Sequence, residues 1–174
     1  MDDRSSPERV VRPTVRVRLG VAGDVAGVWR VHNTSIRQLC RARYAPEEIE
    51  AWIAFRPPEA YLASIASEAL FVAEQQCAVV GFGQLDPARG EIAACYVAPE
   101  AVGSGIGSAL LARMEEEARR RGHRIVRLNS TLNAETFYAS RGYRRLGRAA
   151  HRVSGNVDLP CVRMEKALSP TGSE

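Results

Sequence analysis

The segment from Glu91 to Gly122 constrains this chain more than any other. An apolar run, Ile92-Ala93-Ala94-Cys95-Tyr96-Val97, passes Pro99 and enters Gly103-Ser104-Gly105-Ile106-Gly107. A helical pattern follows, with Ile106, Leu110, Leu111, Met114 and Ala118 on one stripe. Glu115, Glu116 and Glu117 each stand four residues before an arginine, Arg119, Arg120 and Arg121, and Gly122 sits at the C-cap. Such a strand needs a sheet, and such a helix must cover that sheet. The turn between them is a natural anion site. The first N–H groups of a helix lack carbonyl partners, and the helix dipole is positive there. Glycines remove the Cβ that would keep a bulky diphosphate away. Here the donors come from Gly103 to Ser108.

The remaining chain reads as one domain. Val15, Val17 and Leu19 alternate with Arg16 and Arg18 as a short strand, and Asp24 is placed to cap a helix running past Trp29 and Ile36. Pro46-Glu47-Glu48 opens a second helix with Ile49, Trp52 and Ile53 on one face; Pro57-Pro58 ends it, and a helical turn follows around Tyr61 to Ile65. Ala69 to Glu74 and Ala78 to Leu85 are strands joined at Gln75-Gln76, and Asp86 to Gly90 is a turn before the strand Glu91 to Val97. Ile125 to Leu128 is a strand, Ala134 to Ser140 a short helix closed by Gly142, and Tyr143 to Leu146 and Asp158 to Glu165 the last strands. The order β-α-α-(α)-β-β-β-α-β-α-β-β predicts an α/β fold on a mixed sheet. The domain is expected over 14–168, with flexible tails at 1–13 and 169–174.

Composition removes several classes of function. Cys40, Cys77, Cys95 and Cys161 form no CxxC pair, and His32, His123 and His151 are scattered, so neither a disulfide framework nor a metal site is expected. The N-terminus has no apolar h-region and no run reaches the ~18 apolar residues of a membrane span. The expected compartment is cytoplasmic, with no membrane partner. A net charge of +4 suits an anionic ligand, but an aromatic fraction of 6% offers no stacking platform for nucleic acid, and no nucleic-acid partner is expected.

The glycine turn alone leaves a dinucleotide fold as competitor. That fold wants G-x-G-x-x-G directly after a strand and an acidic residue about 20 positions on. Here the third glycine comes one residue early, Pro99 and four further residues intervene, and no acidic residue lies near position 127.

Tyr96-Val97-Ala98-Pro99-Glu100-Ala101-Val102-Gly103-Ser104-Gly105-Ile106-Gly107 resembles the acetyl-CoA motif of the GNAT superfamily, V-x-P followed by [RQ]-x-x-G-x-[GA]. Leu132-Asn133-Ala134-Glu135-Thr136-Phe137-Tyr138-Ala139-Ser140-Arg141-Gly142-Tyr143 resembles the family's downstream N-A-x-x-F-Y-x-x-x-G-[FY]. The strand order agrees with that family from about Val15 to Leu168. One position departs: Val102 stands where the family usually has Arg or Gln. The resemblance implies a GNAT-like, mostly antiparallel sheet of about 6–7 strands flanked by helices, with a central V-shaped splay that holds acyl-CoA. It implies an acetyl-CoA-dependent N-acetyltransferase, with direct attack by a primary amine of a small molecule or peptide in a ternary complex. The alternative is a non-catalytic acyl-CoA-binding sensor or interaction module, for which Val102 is the sequence support.

The resemblance also implies roles. Cys95, Tyr96 and Val97 hold the pantetheine arm through backbone groups, and a backbone N–H near Val97 serves the oxyanion. Val102, Gly103, Ser104, Gly105, Ile106, Gly107 and Ser108 surround the pyrophosphate. Asn133 contacts the CoA arm or, on its residue type, N-caps the following helix. Tyr138 is placed near the CoA sulfur. A phenol near ~10 and a thiol near ~8.5 make outright proton donation uphill by roughly 2 kcal/mol, so hydrogen bonding during expulsion is the easier course. Glu91 is the candidate base, on the face of Ala93, Cys95 and Val97 by period two. His32, Ser35 and Tyr44 are the alternatives. Some of the arginines from Arg119 to Arg145 are candidates for the CoA 3′-phosphate or form a solvated face. The acceptor pocket is expected from loops at Thr34 to Pro46 and Ala149 to Val157, and a homodimer through the C-terminal strands is a further expectation.

Overall fold

The computed structural model describes residues 14–153 and 157–169. The expected tail 1–13, most of the expected tail 169–174, and Gly155-Asn156 of the second expected acceptor loop lie outside the described residues. Seven strands form one sheet: β1 (Arg16–Leu19), β2 (Leu70–Gln75), β3 (Ala78–Asp86), β4 (Glu91–Val97), β5 (Ile125–Thr131), β6 (Arg144–Arg152) and β7 (Asp158–Ala167). Their spatial order is β1-β2-β3-β4-β5-β7-β6, and every pairing is antiparallel except β4 with β5. The helices are α1 (Val25–Leu39), α2 (Pro46–Ala54), α3 (Leu62–Ala66), α4 (Ile106–Arg120) and α5 (Glu135–Ala139). The fold is thus the mixed, mostly antiparallel α/β sheet flanked by helices that the sequence predicts. No described helix is long and apolar enough to cross a membrane.

Two helices cover opposite faces of the centre. On β3, Phe82 packs edge-on against His32 of α1, while a Cβ on Gly81 would lie 2.9 Å from Ile106 and 3.1 Å from Leu110 of α4. A Cβ on Gly83 would lie 2.7 Å from Met114. The bare backbone at these two positions lets α4 settle onto the sheet and bury Ile106, Leu110, Leu111, Met114 and Ala118. A second apolar cluster joins Ile36, Cys40, Tyr44, Ile49 and Trp52 to Val153 and Leu159 at the far end of the C-terminal strands. The β2–β3 hairpin turns at Gln76 and Cys77, with φ of 49° and 61°, the two positive angles of a tight two-residue turn.

Several local expectations change. Asp24 precedes α1, but its carboxylate turns backwards, accepting the Val21 N–H at 2.8 Å and both Nη groups of Arg18 at 2.7 and 2.9 Å. The Arg18 hydrogen bonds hold its carboxyl below the usual range. Of the three Glu–Arg pairs on α4, Glu117–Arg121 forms at 2.7 Å. Glu115 is buried and takes Lys166 at 2.8 Å and the Tyr143 hydroxyl at 3.0 Å, and Glu116 approaches Arg113 at 3.8 Å. Burial of one face redirects Glu115 to partners off the helix. Strand β6 runs to Arg152, so Ala149 to Arg152 are sheet, and Thr34 to Leu39 belong to α1.

Candidate active site

The site begins where the sheet opens. Parallel strands β4 and β5 pair at Glu91↔Arg127 and Ile92↔Leu128, and then diverge. A cleft of about 400 Å³ fills the opening, lined by β4, the turn before α4, α5 and the start of the α1–α2 connection. Ala98 donates to Val80 O at 2.8 Å. By the alternation of an antiparallel ladder, Tyr96 and Ala94 bond to β3, and the N–H groups of Cys95 and Val97 point to the cleft side. The end of the strand is pinned from α1, whose buried Ser35 hydroxyl donates to Val97 O at 2.7 Å.

Beyond Val97 the chain makes a 3-10 turn over Pro99–Ala101 and then adopts left-handed angles at Gly103 (φ 83°) and Gly105 (φ 87°). A Cβ at either glycine would meet nothing within 4 Å, so each is required by its backbone angle rather than by crowding. The first helical bond at this end runs from Ala109 N–H to Gly105 O at 3.1 Å. The N–H groups of Ile106, Gly107 and Ser108 precede it and form an anion-binding helix end. Gly107 has a different reason: its Cβ would lie 3.1 Å from Phe137. Of the residues expected to hold acyl-CoA, Cys95, Tyr96, Val97, Val102, Gly103, Gly105, Ile106, Gly107, Ser108, Asn133 and Tyr138 line this cleft. Ser104 does not; its hydroxyl donates to Ala101 O at 2.5 Å and shapes the turn instead.

Arg141 also lines the cleft. Its guanidinium stacks 4.0 Å from the Phe137 ring centre, donates to Phe137 O at 3.1 Å, and donates through Nε to Ser108 Oγ at 2.9 Å. A cation is therefore fixed beside the helix end, while Val102 is 57% exposed and supplies none. In the sequence Arg141 was one arginine among many, and only its place just before Gly142 in the second motif set it apart.

Tyr138 is buried on the cleft wall, between the rings of Phe137 and Tyr143 at 5.0 and 5.7 Å. Its hydroxyl has no hydrogen-bond partner among the described residues. Burial raises its pKa well above the ordinary phenol value. Cys95 is also desolvated; its thiol is pushed up to about 12, and its Sγ lies 3.9 Å from Gly107 O, so it behaves as packing.

Glu91 stands elsewhere. Along β4, Ala94 pairs with Gln84 and Ile92 with Leu85, which leaves Ala93 as an extra residue. The bulge reverses the alternation and takes Glu91 off the face of Cys95 and Val97. Its side chain lines a second cavity of about 150 Å³ with Tyr44, Trp52, Phe55 and Arg56. The two cavities meet along Ala93, Ala94, Asn129 and Thr131, which line both. Glu91 accepts from Asn129 Nδ2 at 3.5 Å.

The alternatives to Glu91 are engaged in structure. His32 also lines the second cavity, but its Nδ1 meets the Tyr61 hydroxyl at 2.7 Å, and burial, aided by the charge of Arg56, lowers its pKa to about 3. Tyr44 donates to Pro160 O at 2.8 Å and accepts from Leu132 N–H at 3.0 Å. Asn133 is not a cap: Ala134 precedes α5 and no side chain caps it, while Asn133 lines the acyl-CoA cleft.

Comparison with known proteins follows the same lines. The family model of the acetyltransferase (GNAT) domain matches residues 40–168. A GCN5-related N-acetyltransferase from Rhodopseudomonas palustris is 30% identical, with a TM-score of 0.80 over 90% of this chain and 96% of that one. PaiA N-acetyltransferase from Thermoplasma acidophilum, solved in complex with coenzyme A, is 22% identical with a TM-score of 0.74, over 89% of this chain and 99% of that one. YncA from Salmonella typhimurium, solved with its cofactor acetyl-CoA, is 20% identical with a TM-score of 0.62, over 91% of this chain and 96% of that one. No curated protein sequence matches. The split β4–β5 pair, the glycine turn at a helix end and the matched domain converge on one conclusion: the chain belongs to the GNAT acetyltransferase family and is an acyltransferase.

Proposed function

We propose that the protein transfers the acetyl group of acetyl-CoA to a primary amine, by direct attack within a ternary complex of the 14–168 domain. The observation that carries this reading is the junction of two cavities at the β4–β5 opening, with a helix end and Arg141 in one and an acidic side chain, Glu91, in the other. In this reading the N–H groups of Ile106 to Ser108, with the cation of Arg141, hold the pyrophosphate. Cys95 and Val97 offer backbone groups to the pantetheine arm. The acceptor enters from the second cavity.

An alkylammonium titrates near ~10.4, so it must lose a proton before attack. Glu91, directly or through water, takes that proton. The amine nitrogen then bonds the thioester carbonyl carbon, and the oxyanion is stabilised by the Val97 N–H. As the intermediate collapses, the C–S bond breaks and the thiolate departs. Tyr138 hydrogen-bonds the departing sulfur. Its raised pKa favours this over full donation. The second nitrogen proton, lost from the tetrahedral adduct as it collapses, passes to the thiolate, and the first leaves Glu91 for solvent.

Calorimetric titration with acetyl-CoA, with dephospho-CoA and NAD as controls, tests the first half. Selective binding of acetyl-CoA supports the reading, and a folded sample that binds no acyl-CoA ends it. Thiol release with an amine panel tests the second half, since binding without turnover on any amine would favour a sensor.

A further inference from the structure

The second cavity carries two opposite charges without opposite partners. Arg56 follows α2, is half-buried, and reaches into the cavity that Glu91 lines. Its Nη1 donates to Gln84 Oε1 at 2.8 Å, and its guanidinium stands 6.0 Å from the Tyr61 ring centre. The Gln84 amide nitrogen bonds Ser64 Oγ, which turns the amide oxygen toward Arg56. The arginine is therefore aimed by neutral groups, and no carboxylate among the described residues pairs with it. Its charge reaches His32 on the cavity wall, where it adds to burial in disfavouring protonation of that ring. Glu91 meets the Asn129 amide, and no cation pairs with it among the described residues. Trp52, Phe55, Tyr44 and Tyr96 bring aromatic surface to the wall, and His32, His151, Asn129 and Thr131 are among its other polar members. A half-buried guanidinium without a counterion is costly to keep, and its planar fork matches a carboxylate. The cavity, of about 150 Å³ and joined to the acyl-CoA cleft along Ala93 and Thr131, is room for a small molecule rather than a folded segment.

Resting on the acetyltransferase reading, we infer that the acceptor is a free amino acid with an apolar or aromatic side chain, its carboxylate held by Arg56 and its amine facing Glu91. A peptide N-terminus or a lysine side chain carries no carboxylate close to its amine and leaves Arg56 unpaired. A simple amine does the same.

The test compares matched acceptors with acetyl-CoA: L-phenylalanine, L-phenylalaninamide and phenethylamine, then L-tryptophan and tryptamine. The amino acids should exceed their partners without a carboxylate at least tenfold in kcat/KM. That preference should fall to near unity in Arg56→Gln and persist in part in Arg56→Lys, with acetyl-CoA affinity unchanged in both, because Arg56 does not line the acyl-CoA cleft. Transfer to amides or amines as readily as to acids overturns this inference alone and leaves the enzyme reading intact. So does a preference that survives Arg56→Gln, or a protein that binds acetyl-CoA but acetylates none of the amino acids. Failure to bind acetyl-CoA removes both.

Discussion

Arg141 donates through Nε to the Ser108 hydroxyl at 2.9 Å, tying the segment after α5 to the first turn of α4. In the proposed reading, the bond lets a helix end flanked by Val102 hold a diphosphate. The usual cation position is apolar, and a second element brings the charge in from the side. Arg141→Ala should weaken acetyl-CoA binding by about 10- to 100-fold, since charge-assisted hydrogen bonds contribute ~1.5–3 kcal/mol and ~1.4 kcal/mol is a factor of ten. Val102→Arg should recover part of that loss in the Arg141→Ala background and gain less in the parent. Calorimetry on the four proteins checks this, and an Arg141→Ala variant binding as the parent does would remove the role.

Gly81 and Gly83 offer a contrast in packing. A Cβ on Gly81 meets branched side chains and the Tyr96 carbonyl at 3.1 Å, whereas one on Gly83 meets the flexible end of Met114. Gly81→Ala should cost ~1–3 kcal/mol, and Gly83→Ala less, because Met114 has rotatable bonds to move aside. At this length the difference reads as about 2–4 °C per kcal/mol in Tm. Equal melting temperatures for the two variants would contradict the account.

These features divide what the residues disclosed from what they hid. Element order and the glycine turn are legible because period and turn chemistry are local, and Tyr138 is picked out by the resemblance of its F-Y motif. The face of Glu91 was not, because it depends on one extra residue, Ala93, and a bulge appears only when β4 is laid against β3. Asp24 and Glu115 take other roles than expected for a related reason. Each has a respectable local role, as cap and as helix pair, and each takes a partner from elsewhere in the chain. The second cavity takes Tyr44 and His151 from the two segments expected for the acceptor, and also draws on α2 and β4, with Arg56 supplied from beyond a helix end. No periodicity marks such a residue.

Glu117 makes stability pH-dependent in a stated window. Hydrogen bonds from Arg120, opposed by desolvation and joined by Arg121, hold its folded pKa at about 2, against an ordinary value of 4.5. A depressed folded pKa means the unfolded chain binds the proton more readily. The stabilisation is therefore complete above about 4.5 and is lost as pH falls toward about 2. Glu117→Gln should lower stability at neutral pH and flatten the decline across that window. Urea titrations at a series of pH values read both effects, and a parallel decline in parent and variant would assign the acid sensitivity to other groups.

Glu91→Gln should lower kcat/KM most where the acceptor is protonated. As pH rises, the ammonium ionises without help, so the deficit should shrink steadily toward the amine's own pKa. A deficit of constant size across the profile would mean that Glu91 shapes the cavity without moving a proton.

Tyr138→Phe separates chemistry from binding. The hydroxyl makes no hydrogen bond among the described residues, so its removal strands no partner, and the ring contacts with Phe137 and Tyr143 remain. Folding and acetyl-CoA affinity should stay close to those of the parent. The step that suffers is departure of the thiolate, and kcat should fall by about 10²-fold or more. The loss should appear equally in kcat and kcat/KM if the contact strengthens only as negative charge develops on sulfur. A variant with parental kcat would show that water alone serves the leaving group and that Tyr138 is a wall residue. A variant that loses acetyl-CoA affinity and keeps its turnover would move the tyrosine from the reaction to the binding of the arm.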